Sequence, residues 1–273
     1  MSIVKELIDI LGKKLNRAQL TVDDVRIGVF YTAVSLSDGH AGVAFTPRDM
    51  EDTVCCPRSA AKMPASGKLK GAAAWDIARY ALSDNSLKRS VGIAVLNALS
   101  ARLFEEETVS GFKIYPGKDA LEAIDIGRND RVVLVGAFTP FIRKLKQEVD
   151  QLCIIDKHPQ ALKKDEMSMW RAPATAPEVL AQADIAIITG SSLVEGGLED
   201  LLSYCKNARE IVLAGPTASV WPAPLFNRGV TVMGGITVDD AGNLLQVVSE
   251  GGSGYFFNGP ARKVAVIKNR LPS

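Results

Sequence analysis

A chain of 273 residues, with 47% hydrophobic and 23% charged residues, has the composition of a globular protein and is long enough for two domains. Its 32 basic and 31 acidic residues are interleaved and leave a net charge of +1, which argues against nucleic acid or an anionic membrane as the main partner. No run approaches the roughly 20 apolar residues of a membrane span, and charged residues interrupt the apolar N-terminus, unlike a signal peptide. We therefore expect a cytoplasmic protein, and four cysteines do not suggest a disulfide framework in a chain of this length.

The first part of the chain predicts a small α+β domain. Apolar residues at helical spacing predict an amphipathic helix over residues 2–16, and the alternation from Val25 to Ala33 predicts a half-buried strand. After a turn at 37–39, residues 40–45 are predicted to return as its antiparallel partner. The exposed edge of this hairpin favours pairing with a second copy, so we expect a homodimer.

The segment that follows, residues 47–71, has the prolines, glycines and serines of a long loop. Two helices are predicted after it, over residues 72–82 and 90–103, and the second is apolar almost all round, which implies burial. We place the end of this first domain near residue 110, with residues 111–130 as a linker or crossover.

From residue 131 the pattern changes to short, continuous apolar runs separated by helical stretches. Strands that are apolar on both faces and alternate with helices predict a mostly parallel sheet with helices on both faces, a Rossmann-like α/β domain over residues 131–273. The predicted strands are residues 131–137, 151–156, 184–189, 210–214 and 230–233.

Four segments leave the carboxyl ends of these strands, where open α/β sheets bind their ligands. They are residues 136–140, 156–159, 189–192 and 215–217, and they are rich in Gly, Ser, Thr and Pro. Small residues allow the backbone to approach a ligand, and N–H groups at helix starts favour negative charge. The sequence therefore predicts a pocket for a small, anionic ligand, with ordinary turns and capping hydroxyls as the alternative.

A dinucleotide is not favoured as that ligand, because the G-x-G-x-x-G fingerprint is absent and only Gly136 follows the first strand. Asp156 lies 20 residues after Gly136, at the spacing of a carboxylate that meets a ribose hydroxyl. Because many parallel strands end at Asp, the spacing is also that of a polar strand end with no ligand.

Metal-ligating residues are few. Cys55 and Cys56 lie in the long loop, but neighbouring cysteines on an extended chain point to opposite sides. Without C-x-x-C or H-x-x-x-H spacing, a dedicated four-ligand zinc site is not expected, and Cys56 and His158 remain the candidates. Two other cysteines, Cys153 in a strand and Cys205 on an apolar helix face, are predicted to be core residues.

Asn97 is the one polar side chain in an otherwise apolar helical run, residues 92–99. A buried amide needs hydrogen-bond partners, which local backbone, a ligand or the other domain could supply. A G-x-S-x-G nucleophile elbow is missing, so acid–base catalysis would depend on carboxylates, a lysine, His40 or His158. No reaction follows, and whether the protein is an enzyme stays open.

Several strings resemble the family called putative heavy-metal chelation: VVLVGAFTPF, IIDKHP, ADIAIITGSSLVEGGLEDLL, EIVLAGPTAS and VSEGGSG, with CCPRSAAKMPASGKLKGAAA before them. The resemblance covers nearly the whole chain. It implies an enolase-N-terminal-like domain over residues 1–110 ahead of the Rossmann-like domain. It also implies a role in handling heavy metals or metal-binding tetrapyrroles, so the cofactor would be a heavy-metal ion or a tetrapyrrole-like ligand.

The family's pocket positions that match this sequence are Gly136, Phe138, Pro140, Thr189, Gly190, Leu193, Gly215, Pro216 and Thr217. Two segments depart from its pattern. Residues 195–197, Glu-Gly-Gly, stand where Asn-Gly-Thr is expected, and residues 156–159 replace a Glu-Arg or Glu-Asn opening. Glu195 would place a carboxylate near the pocket mouth, where it would repel an anion or ligate a cation.

The leading hypothesis is a ligand- or metal-handling protein with its site in the cleft between the two domains. The expected ligand-binding residues are Gly136, Phe138, Pro140, Asp156, Thr189, Gly190, Ser191, Glu195, Gly215, Pro216 and Thr217. One rival is a transferase that uses an S-adenosylmethionine-type cofactor with Asp156 on the ribose. Another is a structural subunit whose pocket is vestigial.

Overall fold

The N-terminal unit is an antiparallel sheet packed against helices. The computed structural model describes residues 1–47, 65–107 and 111–269, and we call its part up to residue 107 the N-terminal unit and the rest the C-terminal unit. The strand order is β1-β2-β3, with both pairs antiparallel. The elements are α1 (Ile3–Lys14), β1 (Val22–Ile27), β2 (Tyr31–Leu36), β3 (Ala41–Phe45), α2 (Ala74–Ala78) and α3 (Ser86–Glu106).

One predicted strand of this unit is wrong, because the chain reverses inside it. The alternation from Val25 to Ala33 is divided between β1 and β2, with a turn at residues 28–30. A Cβ on Gly28 would lie 2.1 Å from the carbonyl oxygen of Val248, so this backbone passes directly against the C-terminal unit. Val29 is 63% exposed at the tip of the turn. The alternation of apolar and polar residues therefore did not predict which side chains are buried at this turn.

The C-terminal unit is built on an eight-stranded sheet of order β4-β11-β10-β9-β8-β5-β6-β7. Strands β5 to β10 are parallel to one another, and β11 is antiparallel to both β10 and β4. Its strands are β4 (Phe112–Pro116), β5 (Arg131–Val135), β6 (Gln151–Ile155), β7 (Trp170–Arg171), β8 (Ile185–Thr189), β9 (Glu210–Ala214), β10 (Val232–Val238) and β11 (Ala261–Lys268).

Helices cover both faces of this sheet, which confirms the predicted mostly parallel α/β architecture. Along β5, Val132 and Leu134 pack in one core with α4, while Val133 packs in the other with α5 and α7. The helices of this unit are α4 (Thr139–Glu148), α5 (Ala176–Ala181), α6 (Ser192–Glu195), α7 (Leu198–Tyr204), α8 (Ala223–Phe226) and α9 (Ala241–Ser249). Within the described residues, none of the helices has the length and apolar character that crossing a bilayer requires.

Three strands of this unit were not predicted: β4, β7 and β11. β4 comes from the segment expected to be a crossover, the two-residue β7 lies at the sheet edge beside β6, and β11 inserts between β4 and β10. Reading β7, β6, β5, β8, β9 and β10 along the sheet gives the order 3-2-1-4-5-6 of the six parallel strands, which is the order of a Rossmann fold. The strand order therefore reverses between β5 and β8.

The two units share one hydrophobic core, in which α3 is the central element. Residues 90–100 of this helix are all buried, as their apolar sequence predicts. Leu96 and Leu99 of α3 belong to the same cluster as Ile188 of β8 and Met233 of β10. The helix therefore packs against its own sheet and against the C-terminal sheet at once.

The amino ends of the central strands are joined by an ion cluster. Asp130 accepts two hydrogen bonds of 2.7 Å from the guanidinium of Arg209, and Asp184 pairs with Arg131 at 3.2 Å. The hydrogen bonds from Arg209, assisted by the amide of Gly127, lower the pKa of Asp130 below its ordinary 3.8. This cluster lies at the sheet edge opposite the predicted pocket.

We expect the Asp130→Asn variant to change the acid end of the stability profile. A carboxyl group whose pKa is lower in the folded state stabilises the protein above the unfolded-state pKa, and that contribution is lost as pH falls through the folded-state pKa. Urea unfolding between about pH 5 and pH 2 should therefore show a steeper loss for the wild type than for the variant. Equal slopes for the two proteins would contradict the assignment.

Candidate functional site

Three of the predicted loops meet at the point where the strand order reverses. Gly136 after β5 and Gly215 after β9 have φ values of 102° and 112°, a conformation that favours glycine. A Cβ at Gly136 would lie 3.1 Å from Cβ of Thr189 and 3.2 Å from the Phe138 ring, and one at Gly215 would lie 3.6 Å from the same ring. The expected convergence of Gly136, Phe138, Thr189 and Gly215 is therefore present in the structure.

This crevice is occupied by the protein itself. The Phe138 ring lies over both glycines and stacks on Phe141, with the ring centroids 5.4 Å apart. The amide of Gly190 donates to Ala214 O at 2.7 Å, and the amide of Gly215 donates to Gly234 O at 2.8 Å. Because these N–H groups hold neighbouring strands together, they do not form the backbone cradle that the sequence suggested for an anion.

The polar side chains of the same region are also engaged with each other. Asp156 accepts the amides of Ala137 and His158, each at 2.7 Å, so its carboxylate joins the loops after β5 and β6. The Thr189 and Ser191 hydroxyl oxygens lie 3.0 Å apart. These contacts give the side chains a role in shaping the loops, and a ribose would have to share Asp156 with two amides.

Glu195, which was expected to present a free carboxylate, forms an ion pair with Lys157 at 3.0 Å. The pair links the loop after β6 to α6, and Glu195 is half-buried while Lys157 is exposed. Pro140 is exposed in the first turn of α4. Neither residue adds a donor to the crevice.

The loop after β9 turns away from the crevice and toward the N-terminal unit. Thr217 is buried, and its hydroxyl accepts the amide of Phe45 at 2.9 Å. The Asn97 amide nitrogen donates to Val43 O at 2.6 Å and to Thr217 O at 3.2 Å. Of the partner types expected for Asn97, the other unit is used through Thr217, while the second acceptor belongs to strand β3 of its own unit and not to local backbone.

A cavity of about 460 Å³ lies beside these contacts, between the two units. Strand β3 and helix α3 form one wall, and the loop after β9 with strands β10, β11 and β4 forms the other. Val43, Ala101 and Phe104 line it from the first side, and Met233 and Val264 from the second. Most of the surface is apolar. The sequence analysis expected a site in the cleft between the two units but placed its residues at the strand ends, and of the residues that line this cavity it singled out only Asn97 and His40.

His40 and the carboxylates of Asp38 and Glu105 form a polar cluster in the lining, which we call the mouth because Asp38 and Glu105 are exposed. The ring of His40 lies between these two carboxylates, and Asp239 is a further acidic lining residue. His40 Nδ1 is 3.1 Å from Asp38 Oδ2, and His40 Nε2 is 3.1 Å from Glu105 Oε2. The mouth is therefore acidic, while the body of the cavity is apolar.

Of the two metal candidates, only His158 lies in the described part of the chain. His158 is exposed on the loop after β6, and Cys56 lies outside the described residues. Burial raises the pKa of Cys153 and raises that of Cys205 to about 11. Cys205 is a buried core residue as predicted, whereas Cys153 is partly buried and packs against the core. Within residues 1–47, 65–107 and 111–269, no group of three or more His, Cys, Asp or Glu side chains is arranged to hold a metal ion.

Models of known families match both parts of the chain. The model of the family DUF364, described as "Putative heavy-metal chelation", matches residues 119–267, and that of DUF4213, with the same description, matches residues 8–100. An uncharacterized protein of Methanocaldococcus jannaschii is 27% identical over 180 residues, which span 65% of this chain and 65% of that relative.

Two solved structures share the fold over nearly their whole length. A DUF364 protein of unknown function from Pyrococcus horikoshii has a TM-score of 0.78 at 21% identity, covering 98% of this chain and 100% of the other. Another, from Desulfitobacterium hafniense, has a TM-score of 0.72 at 20% identity, covering 97% of this chain and 99% of the other. The arrangement of both units in one molecule is therefore that of the solved members.

Proposed function

This chain belongs to the family described as "Putative heavy-metal chelation", and from that premise we propose that it binds a small organic ligand, free or as a metal chelate, in the cavity between its two units. The observation that carries the proposal is the cavity itself. A volume of about 460 Å³ falls within the range of small-molecule sites, and a largely apolar lining with a few polar groups is typical of them. Its position between two packed units is also where such sites commonly lie.

The proposal favours a chelate over a bare metal ion for two reasons. A single ion needs a compact set of ligands at about 2–2.6 Å and not a space of several hundred cubic ångströms. The described residues also do not offer the three or more ligands that a tightly held heavy-metal ion requires. An organic molecule would supply those ligands itself, and the protein would bind its apolar surface.

Calorimetry with the purified protein tests this proposal. Cobalt, nickel and iron salts and a sirohydrochlorin-like tetrapyrrole would be titrated separately, followed by the preformed chelates. Native mass spectrometry with elemental analysis would show what the freshly purified protein already holds. We expect binding of an organic ligand or chelate at micromolar concentrations; heat from the bare ions alone would contradict the proposal.

A matched pair of substitutions locates the site. Ala101 is half-buried on α3 and lines the cavity, so the Ala101→Phe variant should fill part of it and weaken ligand binding by about tenfold or more. Ala241 is a half-buried alanine at the start of α9 that is not among the lining residues, and the Ala241→Phe variant should bind as the wild type does. Equal loss in both variants would point to a general effect on folding.

The crevice at the strand ends is tested by a second pair. In the Thr189→Val and Ser191→Ala variants, the contact between their hydroxyls is removed without changing the cavity. If binding is lost in these variants and kept in Ala101→Phe, the ligand occupies the crevice that the sequence predicted, and the cavity proposal is wrong. The same result with S-adenosylmethionine as the ligand would favour the transferase alternative.

A further inference from the structure

The ring of His40 joins two elements of the N-terminal unit at the mouth of the cavity. His40 directly follows the turn at residues 37–39, which connects β2 to β3. Its Nε2 forms a hydrogen bond with Glu105 Oε2 on α3 at 3.1 Å, and its Nδ1 lies 3.1 Å from Asp38 Oδ2 on the turn. The ring therefore connects the turn to the helix.

Both contacts require a hydrogen on the ring nitrogen. An ionised carboxylate can only accept, so the bond between Nε2 and Glu105 needs an N–H at Nε2. Among the described residues, the enclosed Nδ1 has no aligned hydrogen-bond partner, so its contact with Asp38 is electrostatic. A lone pair at Nδ1 would face that carboxylate oxygen without water, whereas an N–H is attracted to it. Because a neutral imidazole has only one N–H, the two contacts together are those of a protonated ring.

The charged groups around the ring also favour its protonated form. Asp38 faces the ring from the turn and Glu105 faces it from α3. Arg102 of α3 lies 2.9 Å from the same Asp38 oxygen and 2.7 Å from Glu106. These three carboxylates and one guanidinium leave a net charge of −2 beside the ring, which a positive charge on the imidazole reduces.

The opposite wall of the cavity does not change this balance. Asp239 is its charged lining residue, and the carboxylate is paired with Arg262 at 2.6 Å. Within the described part of the chain, the other lining residues of the C-terminal unit are uncharged. The groups that decide the charge of the ring therefore lie on the turn and on α3.

We infer that His40 is a pH-sensitive latch, which ties the turn at residues 37–39 to α3 at the mouth of the cavity while its ring is protonated. As pH rises through the range in which imidazoles release their proton, about pH 6–7, the ring keeps one N–H and loses one of its two contacts. The turn then separates from α3 more often, and the mouth opens with it. As a property of the fold the latch needs no ligand; as a control of ligand entry it rests on the proposed binding site.

Hydrogen exchange of the wild type and of the His40→Gln variant tests the latch. Glutamine forms hydrogen bonds but takes up no proton, and comparison at equal pH removes the intrinsic pH dependence of exchange. At about pH 5.5 we expect the amides of residues 38–42 to exchange about threefold more slowly in the wild type. At about pH 8 this ratio should fall to about one. The same ratio at both pH values would overturn the inference.

Two further variants separate the latch from general effects on folding. The Glu105 side chain is 74% exposed, so Glu105→Gln should fold, and it should show the same pH-dependent ratio to the wild type as His40→Gln. The second histidine of the chain, His158, is exposed and does not line the cavity, so His158→Gln should exchange as the wild type does. If His40→Gln does not fold, Glu105→Gln decides the question. A pH dependence lost in His158→Gln would contradict the role of His40.

Ligand entry is tested with indole, a neutral aromatic probe whose charge is the same at both pH values. Titrations followed by methyl NMR would locate binding through Val43 and Val264 of the cavity wall. We expect indole to exchange between the free and bound states about threefold faster at about pH 8 than at about pH 5.5 in the wild type, and equally fast in His40→Gln.

The outcomes distinguish the latch from the proposed function. If indole leaves the methyl resonances of the cavity wall unchanged, the proposed site and the control of entry fail, while hydrogen exchange still decides whether the latch exists. If indole binds in the cavity and its exchange rate does not change with pH, the binding site stands and the control of entry is overturned.

Discussion

The Gly92→Ala variant is expected to lose about 2–3 kcal/mol of unfolding free energy, although Gly→Ala inside a helix ordinarily stabilises a protein by about 0.5–1 kcal/mol. Gly92 lies in the first half of α3. A Cβ there would be 2.1 Å from the backbone nitrogen of Ala81 and 2.7 Å from the carbonyl carbon of Tyr80. Backbone atoms of a turn cannot rotate away as a flexible side chain can, so α3 would have to move.

The chain offers a control for this prediction within another helix. Gly12 lies near the end of α1, and the nearest atoms to its Cβ position belong to the guanidinium end of Arg17, at 3.4 Å. This is ordinary contact with a flexible group, so Gly12→Ala should gain about 0.5–1 kcal/mol. Urea denaturation of the two variants should give shifts of opposite sign. A gain in both would mean that the contact between α3 and the turn at residues 79–82 is loose.

The Arg89→Ala variant is expected to lose a similar amount, about 2–3 kcal/mol, because one guanidinium serves several backbone carbonyls. Arg89 Nε donates to Val194 O at 2.6 Å, and Nη2 donates to Glu195 O at 3.3 Å. Nη1 donates to the carbonyls of Ser83 and Asp84 within its own unit. Removing the side chain leaves these partly buried carbonyl acceptors without their donor and weakens the contact between α3 and α6.

Two measurements check this second prediction. Unfolding in urea gives the loss of stability, and hydrogen exchange of residues 192–197 should rise in Arg89→Ala because the loop is released locally. Arg102 on the same helix is the control, since it pairs with the surface carboxylates of Glu106 and Asp38, and Arg102→Ala should cost at most about 1 kcal/mol. Similar losses for the two arginines would contradict the assigned role of Arg89.

The local pattern of apolar residues was sufficient to predict the buried parallel strands and α3. Each of the central strands is a continuous apolar run, and the strand at residues 210–214 was predicted with the bounds that it has in the structure. The strands that were missed depend on partners far away in the chain. β4 pairs with β11, about 150 residues later, and no local signal records such a pairing.

The candidate site was only partly predictable for a related reason. The strand-end loops could be found from glycines and hydroxyl residues, and they do converge, but the sequence does not show that Phe138 fills the space between them. The cavity between the units depends on how α3 packs against β10 and β11, which is a long-range feature. Asn97 was a local signal of it, because an amide in an apolar helix needs an unusual environment.

Several expectations stay predictions. The likeness of the N-terminal unit to enolase N-terminal domains, the boundaries at residues 110 and 130, the cytoplasmic location and the homodimer are not tested by the fold or by the family. Sedimentation of the purified protein would decide the oligomeric state. The segment that contains Cys55 and Cys56 lies outside the described residues.

The core shared through α3 has a consequence for how the protein unfolds. Two family models match the two parts of the chain separately, yet Leu96 and Leu99 are buried by both parts together. Separating the units would expose an apolar surface on each, because the core around α3 is formed by residues of both units. The molecule should therefore denature in a single cooperative transition, because each unit is stabilised by its contacts with the other.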